Sequence, residues 1–315
     1  MSRQCCRCIF MQLKLQNSQY DPGDQRILQK ASPIESASPS LQTKRGIIMG
    51  YRYETHMHTC QASACGRSTG AEHVRAYKDF GYQGIIITDH FFGGNTAVPR
   101  DLPWKERVNW FCSGYEDALN EGIKCGLDVF FGWEQGYGDD EYLIYGLDKQ
   151  WLLDHPEVEH YTRHEQLQHV KADGGCVIQA HPFRNRAYVQ HIRYSPWLCD
   201  GIEVANGANL PVNDAYAWHY AKKYNLYTIA GSDNHSIDRI NNQPESIFGV
   251  ELSKPLTSIQ DFVSVILQRK PLNLVIPQAH YFDVDKEKEP VLETFMIDEN
   301  ENLVPDPVDY LRSSF

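Results

Sequence analysis

From Tyr51 onward, short apolar runs alternate with stretches whose apolar residues recur at helical spacing. The runs predict strands at 51–56, 84–88, 128–133, 142–147, 176–180, 201–205 and 227–231. Helical spacing predicts helices near 70–80, 106–125, 162–173, 211–224 and 257–268. Strands alternating with helices are the signature of a parallel α/β arrangement, closed as a barrel or open as a layered sheet. No internal repeat is present. After about residue 271 the pattern changes to one strand and a turn-rich segment, in which Glu299-Asn300-Glu301-Asn302 suggests a hairpin.

Residues 1–48 lack sustained apolar periodicity and are rich in Gln, Ser and Pro, so they read as a disordered or non-native extension. Met49 directly precedes the first strand and is an alternative translation start. Cys5, Cys6 and Cys8 have no partner pair at a zinc-site spacing and are assigned no metal role. The expected organisation is therefore an extension over 1–48, a barrel domain over 49–271 and a C-terminal extension over 272–315 packing on it.

Composition narrows the class. The chain has 315 residues, enough for an α/β barrel with its own core, and 42% of them are hydrophobic, which excludes disorder for most of it. A net charge of −11 argues against a broad basic face for nucleic acid, although ions in an acidic shell can still present positive charge to a phosphate. Nine irregularly spaced cysteines do not form a secreted disulfide framework. With no membrane-length apolar run and no signal-peptide pattern, a soluble protein of the reducing cytoplasm is expected, with no membrane association and no identifiable protein partner.

Metal-capable side chains appear as one predicted strand after another ends. Strand 51–56 runs into His56 and His58, Ile85-Ile86-Ile87 into Asp89 and His90, and 128–133 into Glu134. Strand 176–180 ends at His181, and 227–231 leads to Asp233 and His235. In a parallel barrel the C-terminal strand ends share one mouth, so residues from 56 to 235 can converge. Imidazole nitrogens with a few carboxylates suit zinc, manganese or iron, and so many ligands exceed one tetrahedral site, implying two or three divalent ions.

In this order, HMH, TDH, a lone glutamate, HP and GSDNH resemble the motifs of the polymerase and histidinol phosphatase (PHP) superfamily, over roughly residues 51–250. The resemblance implies a distorted (β/α)7 TIM-like barrel with a two- or three-metal site, as in histidinol-phosphatase-like enzymes, nucleotide phosphatases, exonucleases and polymerase proofreading domains. Carried over motif by motif, it makes His56, His58, His90, Glu134, His181, Asp233 and His235 metal ligands. It makes Asp89 an orienting carboxylate of the catalytic machinery and Arg184, after HP, a catalytic phosphate-binding arginine. Two departures stand out. Where many members carry an acidic or histidine ligand after HxH, this chain reads CQASACG, and Cys65 is read as packing rather than ligating. The family histidine following the glutamate has no equivalent, Glu141 being nearest.

The other histidines are assigned ordinary surface or core roles. Asp139 and Asp140 read as a solvated loop, Trp133 as a core aromatic, and Phe91-Phe92-Gly93-Gly94-Asn95 equally as a mouth loop or a connector. The function expected is a metal-dependent hydrolase, a phosphatase or phosphodiesterase that cleaves a small phosphorylated metabolite or nucleotide with metal-activated water. The alternatives are an exonuclease on single-stranded nucleic acid, a degenerate metal-binding module, and C–N bond hydrolysis of the amidohydrolase kind.

Overall fold

A computed structural model describes residues 50–277, 280, 294–298, 300 and 302–305. The expected extension over 1–48, with its cysteines and Met49, lies outside the described residues.

In chain order the elements are β1 (Tyr51–Glu54), α1 (Gly70–Phe80), β2 (Gly84–Ile87), α2 (Trp104–Phe111), α3 (Ser113–Cys125), β3 (Asp128–Gly136) and β4 (Glu141–Tyr145). There follow α4 (Lys149–Asp154), a 3-10 turn (Pro156–His160), α5 (Arg163–Ala172), β5 (Cys176–Ala180), β6 (Ile192–Tyr194), β7 (Gly201–Asn206), α6 (Pro211–Tyr224) and β8 (Tyr227–Gly231). The chain continues through α7 (Ile237–Asn242), a second 3-10 turn (Pro244–Ser246), β9 (Gly249–Leu252), α8 (Ile259–Leu267), β10 (Asn273–Val275), β11 (Thr294–Ile297) and β12 (Leu303–Pro305). Local chemistry sets several boundaries. Thr69 and Glu72 form a capping box before α1, and Gly81 (φ 91°) ends that helix in a left-handed conformation that costs glycine little. Thr162 and Glu165 cap α5 in the same way.

Nine strands form one sheet in the order β10-β9-β1-β2-β3-β4-β5-β7-β8. The pairs β1–β2, β2–β3, β5–β7 and β7–β8 are parallel. The expected parallel arrangement is interrupted at β4, which pairs antiparallel with both β3 and β5, and β9, where no strand was expected, is antiparallel to β1. The link from β3 to β4 is a tight turn through Gly138 (φ 86°), too short for the crossover a parallel neighbour needs. The helix expected over 106–125 is also two helices, α2 and α3, meeting at Cys112.

The sheet curls into a nearly closed barrel. Past the end of β1, Met57 bridges in parallel to Asn234 past the end of β8. His58 N–H donates to Asn234 C=O at 2.8 Å and the Thr55 hydroxyl to Ala230 C=O at 2.8 Å. The seam therefore closes at the mouth, where the predicted ligands lie. Among the apolar clusters packed on the sheet, one is built on Phe91, Phe111, Trp133 and Ile144 and another on Tyr53, Ile86, Ile178 and Phe262. Phe91 and Phe92 are buried in the first, so the loop carrying them acts as a packed connector. A separate sheet pairs β6 with β11 in parallel and β11 with β12 in an antiparallel hairpin, where the 299–302 turn was expected.

Candidate metal centre

All seven predicted ligands meet at the mouth. His56 and His58 follow β1, His90 follows β2, Glu134 is near the end of β3, His181 follows β5, and Asp233 and His235 follow β8. The Nε2 atoms of His56 and His58 are 3.2 Å apart. Glu134 lies 3.2 Å from His56 Nε2, 2.6 Å from His90 Nδ1 and 3.1 Å from His181 Nε2. Asp233 Oδ1 lies 3.0 Å from His58 Nε2 and 3.6 Å from His56 Nε2. Ligand-capable atoms fall within 4.8 Å of one another in four overlapping groups: His56–His58–Glu134, His56–His181–Asp233, His58–His90–His235 and His90–Glu134–Glu141.

Three histidines are oriented by what their Nδ1 atoms touch. His56 Nδ1 is 3.0 Å from Glu203 Oε1, and since a carboxylate only accepts, Nδ1 carries a proton and Nε2 is the nitrogen left to a metal. Ser63 donates its hydroxyl to Asp89 at 2.7 Å, which leaves its oxygen to accept from His58 Nδ1–H at 3.2 Å. His235 Nδ1–H donates to the carbonyl of Asp233 at 2.9 Å. Asp89 also accepts from Thr59 N–H at 2.6 Å and the Thr59 hydroxyl at 2.8 Å, so it fixes the turn after HMH and, through Ser63, the ring of His58. Burial pushes Asp89 up to about 6 against these hydrogen bonds.

Charge is tightly coupled at this centre. Burial opposes charge on His56, yet Glu203, Asp233 and Glu134 outweigh it and hold its pKa well above the ordinary 6.5. Burial likewise opposes ionisation of Glu134, and His90 and His56 overcome it; Asp233 is held low against burial by Arg184 and His56. His58 shifts the other way, lowered by burial and by the neighbouring His90 and His235. His90 Nδ1 and Glu134 Oε2 are buried, lie 2.6 Å apart, and still make no properly directed hydrogen bond. The donor set therefore fits divalent ions: imidazole lone pairs and carboxylates face one space, with some of their atoms left orphaned. Two of the predicted ligands adopt positive φ, His181 at 26° and Asp233 at 53°, a conformation that costs on the order of 1–3 kcal/mol in a non-glycine residue and persists where surroundings enforce it.

Arg184 stands behind Asp233. Its Nη2 is 2.6 Å from Asp233 Oδ2 and 2.9 Å from Asn206 Oδ1, and its Nε donates to Asn209 Oδ1 at 3.0 Å. It also lines a small cavity with His181, Pro182, Tyr188 and Arg193. The acidic loop is not solvated as expected. Asp140 is buried against Arg163 at 2.8 Å, and Asp139 caps the amides of Gln190 and His191.

No protein-family model matches the sequence, and no curated protein does. Among solved structures, a two-domain protein from Bacteroides vulgatus, described as containing a predicted PHP-like metal-dependent phosphoesterase, superposes with a TM-score of 0.52 at 17% identity. The match covers 72% of this chain and 65% of that one, so this chain spans less than two thirds of its neighbour's length. The fold is of the PHP type. Lower similarity links it to a Bifidobacterium adolescentis protein named for metal-dependent phosphoesterase activity (TM-score 0.43, 18% identity, 69% of this chain and 96% of that one). An amidohydrolase from Chromobacterium violaceum, with bound sulfate and no metal, scores 0.41 at 13% identity over 74% of this chain and 99% of that one.

Within this PHP-type fold, sequence reasoning missed Glu203. It sits inside β7 and accepts from His56 Nδ1–H, from His181 N–H at 3.1 Å and from Asn206 Nδ2 at 2.9 Å. The available signal was a single carboxylate in the apolar run Gly201–Asn206. Cys65, read as packing, instead meets His235 and His90. Burial would raise its thiol pKa, but hydrogen bonds from the two imidazoles bring it down to about 6.

Proposed function

We propose that this chain is a metal-dependent phosphoesterase that hydrolyses a small phosphorylated metabolite or nucleotide. The observation that carries the reading is the convergence of five imidazoles and two carboxylates from five strand ends on one mouth, with the Nε2 atoms of His56 and His58 facing the same space. Two or three zinc, manganese or iron ions, when bound, supply an activated water and neutralise charge on phosphate oxygens. His56, with His58 and Glu134 or with His181 and Asp233, would hold ions on one side of the centre, and His90 and His235 would complete it with His58 on the other. Asp89 keeps His58 in its ligating tautomer through Ser63. Arg184 fixes Asp233 and lines the neighbouring cavity, which makes it the candidate contact for a phosphate oxygen, whereas Arg193 on the same cavity is paired with Asp139. No described helix is long and apolar enough to cross a membrane.

The test pairs elemental analysis of protein purified without chelators with turnover on phosphomonoesters, nucleotides and short oligonucleotides. His58→Ala and Asp233→Ala are expected to lose metal and turnover together. Metal-loaded wild type that cleaves none of the panel would sink the reading in favour of a binding module, and cleavage of oligonucleotides alone would replace it with the exonuclease.

A further inference from the structure

Arg184 is not held by Asp233 alone. Its Nε donates to Asn209 Oδ1 at 3.0 Å and its Nη2 to Asn206 Oδ1 at 2.9 Å, and both asparagines are tied to one further carboxylate, Asp214, in the first turn of α6. Asp214 is buried and accepts from Asn206 N–H at 2.9 Å, Asn209 Nδ2 at 2.9 Å and His280 Nε2 at 2.8 Å. Asn209 therefore stands between a group that only accepts and a group that only donates. An amide so placed has one satisfying orientation, its NH2 toward Asp214 and its oxygen toward Arg184. Asn206 is fixed as well, its Oδ1 shared between Arg184 and Ala208 N–H and its Nδ2 donated to Glu203. Nε and Nη2 of Arg184 thus have fixed partners, so the pose in which the guanidinium meets the cavity it lines is set from behind.

We infer that Asp214 is a positioning residue for the substrate site: through the Asn209 amide it fixes the pose in which Arg184 meets a phosphate oxygen. The inference rests on the anion-binding role proposed for Arg184 above. In Asp214→Asn the remaining oxygen can keep Asn206 N–H and His280, which share Oδ2, and the new NH2 then faces Asn209 Nδ2. Asn209 escapes this opposition of donors only by turning its own NH2 toward Arg184 Nε, which moves the conflict onto the guanidinium. A merely structural role for Asp214, as an anchor for the 206–210 loop and for His280, predicts lower stability but an unchanged anion affinity in the folded protein.

The experiment uses the metal-loaded full chain with inorganic phosphate as the probe, reading affinity by titration calorimetry, metal content by elemental analysis and fold by circular dichroism. Asp214→Asn is expected to keep its metal and to bind phosphate about 10- to 100-fold more weakly, with the loss in phosphoester turnover appearing mainly in KM. Asn209→Ala, which removes the link and leaves both ends in place, is expected to show the same loss, and it carries the test if Asp214→Asn fails to fold. In an Arg184→Ala background neither change should weaken phosphate binding further, because the effect passes through Arg184. Wild-type phosphate affinity in either folded variant overturns the inference, as does a full additional loss in the Arg184→Ala background or a wild type that binds no phosphate. Phosphate binding weakened as expected, in a chain whose wild type turns over no phosphoester, would defeat the proposed function while leaving the Asp214 assignment intact.

Discussion

Glu203→Gln isolates the support of one ligand from the ligand itself. The carboxylate is fully buried and accepts three donors: His56 Nδ1–H at 3.0 Å on one oxygen, and His181 N–H at 3.1 Å and Asn206 Nδ2 at 2.9 Å on the other. A glutamine has one acceptor and one donor in this space. If its oxygen serves His181 and Asn206, its amide nitrogen faces His56, which must then move its proton to Nε2 and lose its ligating lone pair. The opposite orientation sets an NH2 against two donors, at about 1–3 kcal/mol for each buried group left unpaired. Asn206 cannot relieve this by turning, because its Oδ1 already accepts from Arg184 Nη2 at 2.9 Å and Ala208 N–H at 2.9 Å. The tautomer change is the cheaper outcome. Metal affinity should therefore fall about 10- to 100-fold, or roughly 1.4–2.8 kcal/mol, with the fold retained.

Competition with a chromophoric chelator at neutral pH measures that affinity, and thermal melts of the metal-free proteins report the fold separately. An affinity within about twofold of wild type would refute the reasoning, because supporting partners of this kind are worth more than that. A melt lowered by several degrees with unchanged affinity would assign Glu203 to the barrel and not to the metal.

Two further outcomes follow from the same geometry. His56 and His90, held well above 6.5 by Glu203, Asp233 and Glu134 against the effect of burial, carry protons at pH 7 without metal. Metal loading therefore releases protons and tightens as pH rises; titration calorimetry giving heats independent of buffer ionisation would contradict this. For the metal-free chain the sign reverses: these raised pKa values contribute stability fully below 6.5 and lose it as pH rises through them, so its Tm should fall on the alkaline side. Gly231→Ala would place a Cβ 2.6 Å from His56 Cβ and 2.7 Å from Glu203 Oε1. Overpacking of this kind costs about 1–3 kcal/mol, and the variant should bind metal less well; a wild-type Tm would show that the seam yields more easily than this.

The part of the centre legible in the sequence is the part that obeys one rule. Where strands are parallel, residues at their C-terminal ends share a mouth, and His56, His58, His90, His181, Asp233 and His235 were found that way. Glu134 follows the same rule in β3. Glu141 breaks it, because the turn through Gly138 reverses the strand and puts its N-terminal end at the mouth, while the apolar run Tyr142–Tyr145 looks the same in either direction. Glu203 breaks it differently, acting from within a strand through an imidazole instead of from the end. The break between α2 and α3 leaves no proline or glycine at Cys112 to announce it, and α4, six residues long, is too short for helical periodicity to register. Positive φ at His181 and Asp233 has no sequence signal, since neither residue is glycine.

Assembly of the centre and closure of the barrel depend on one buried side chain. Glu54, at the end of β1, accepts from Thr55 N–H at 3.0 Å, His56 N–H at 2.9 Å and Ser232 N–H at 2.9 Å, and also from the hydroxyls of Tyr77 and Ser232. Its acceptors thus fix the backbone on both sides of the seam, next to His56 on one strand and next to Asp233 on the other. A buried carboxylate is costly unless its oxygens are filled, and here five donors fill them, so the charge is tolerable only when β1 and β8 are in register. The proposed metal ligands face a similar constraint, since Glu134, Asp233 and the imidazoles crowd together without bonds that satisfy them all. Ion binding should then stabilise the closed barrel by linkage, about 4 kcal/mol at a free ion concentration a thousandfold above Kd.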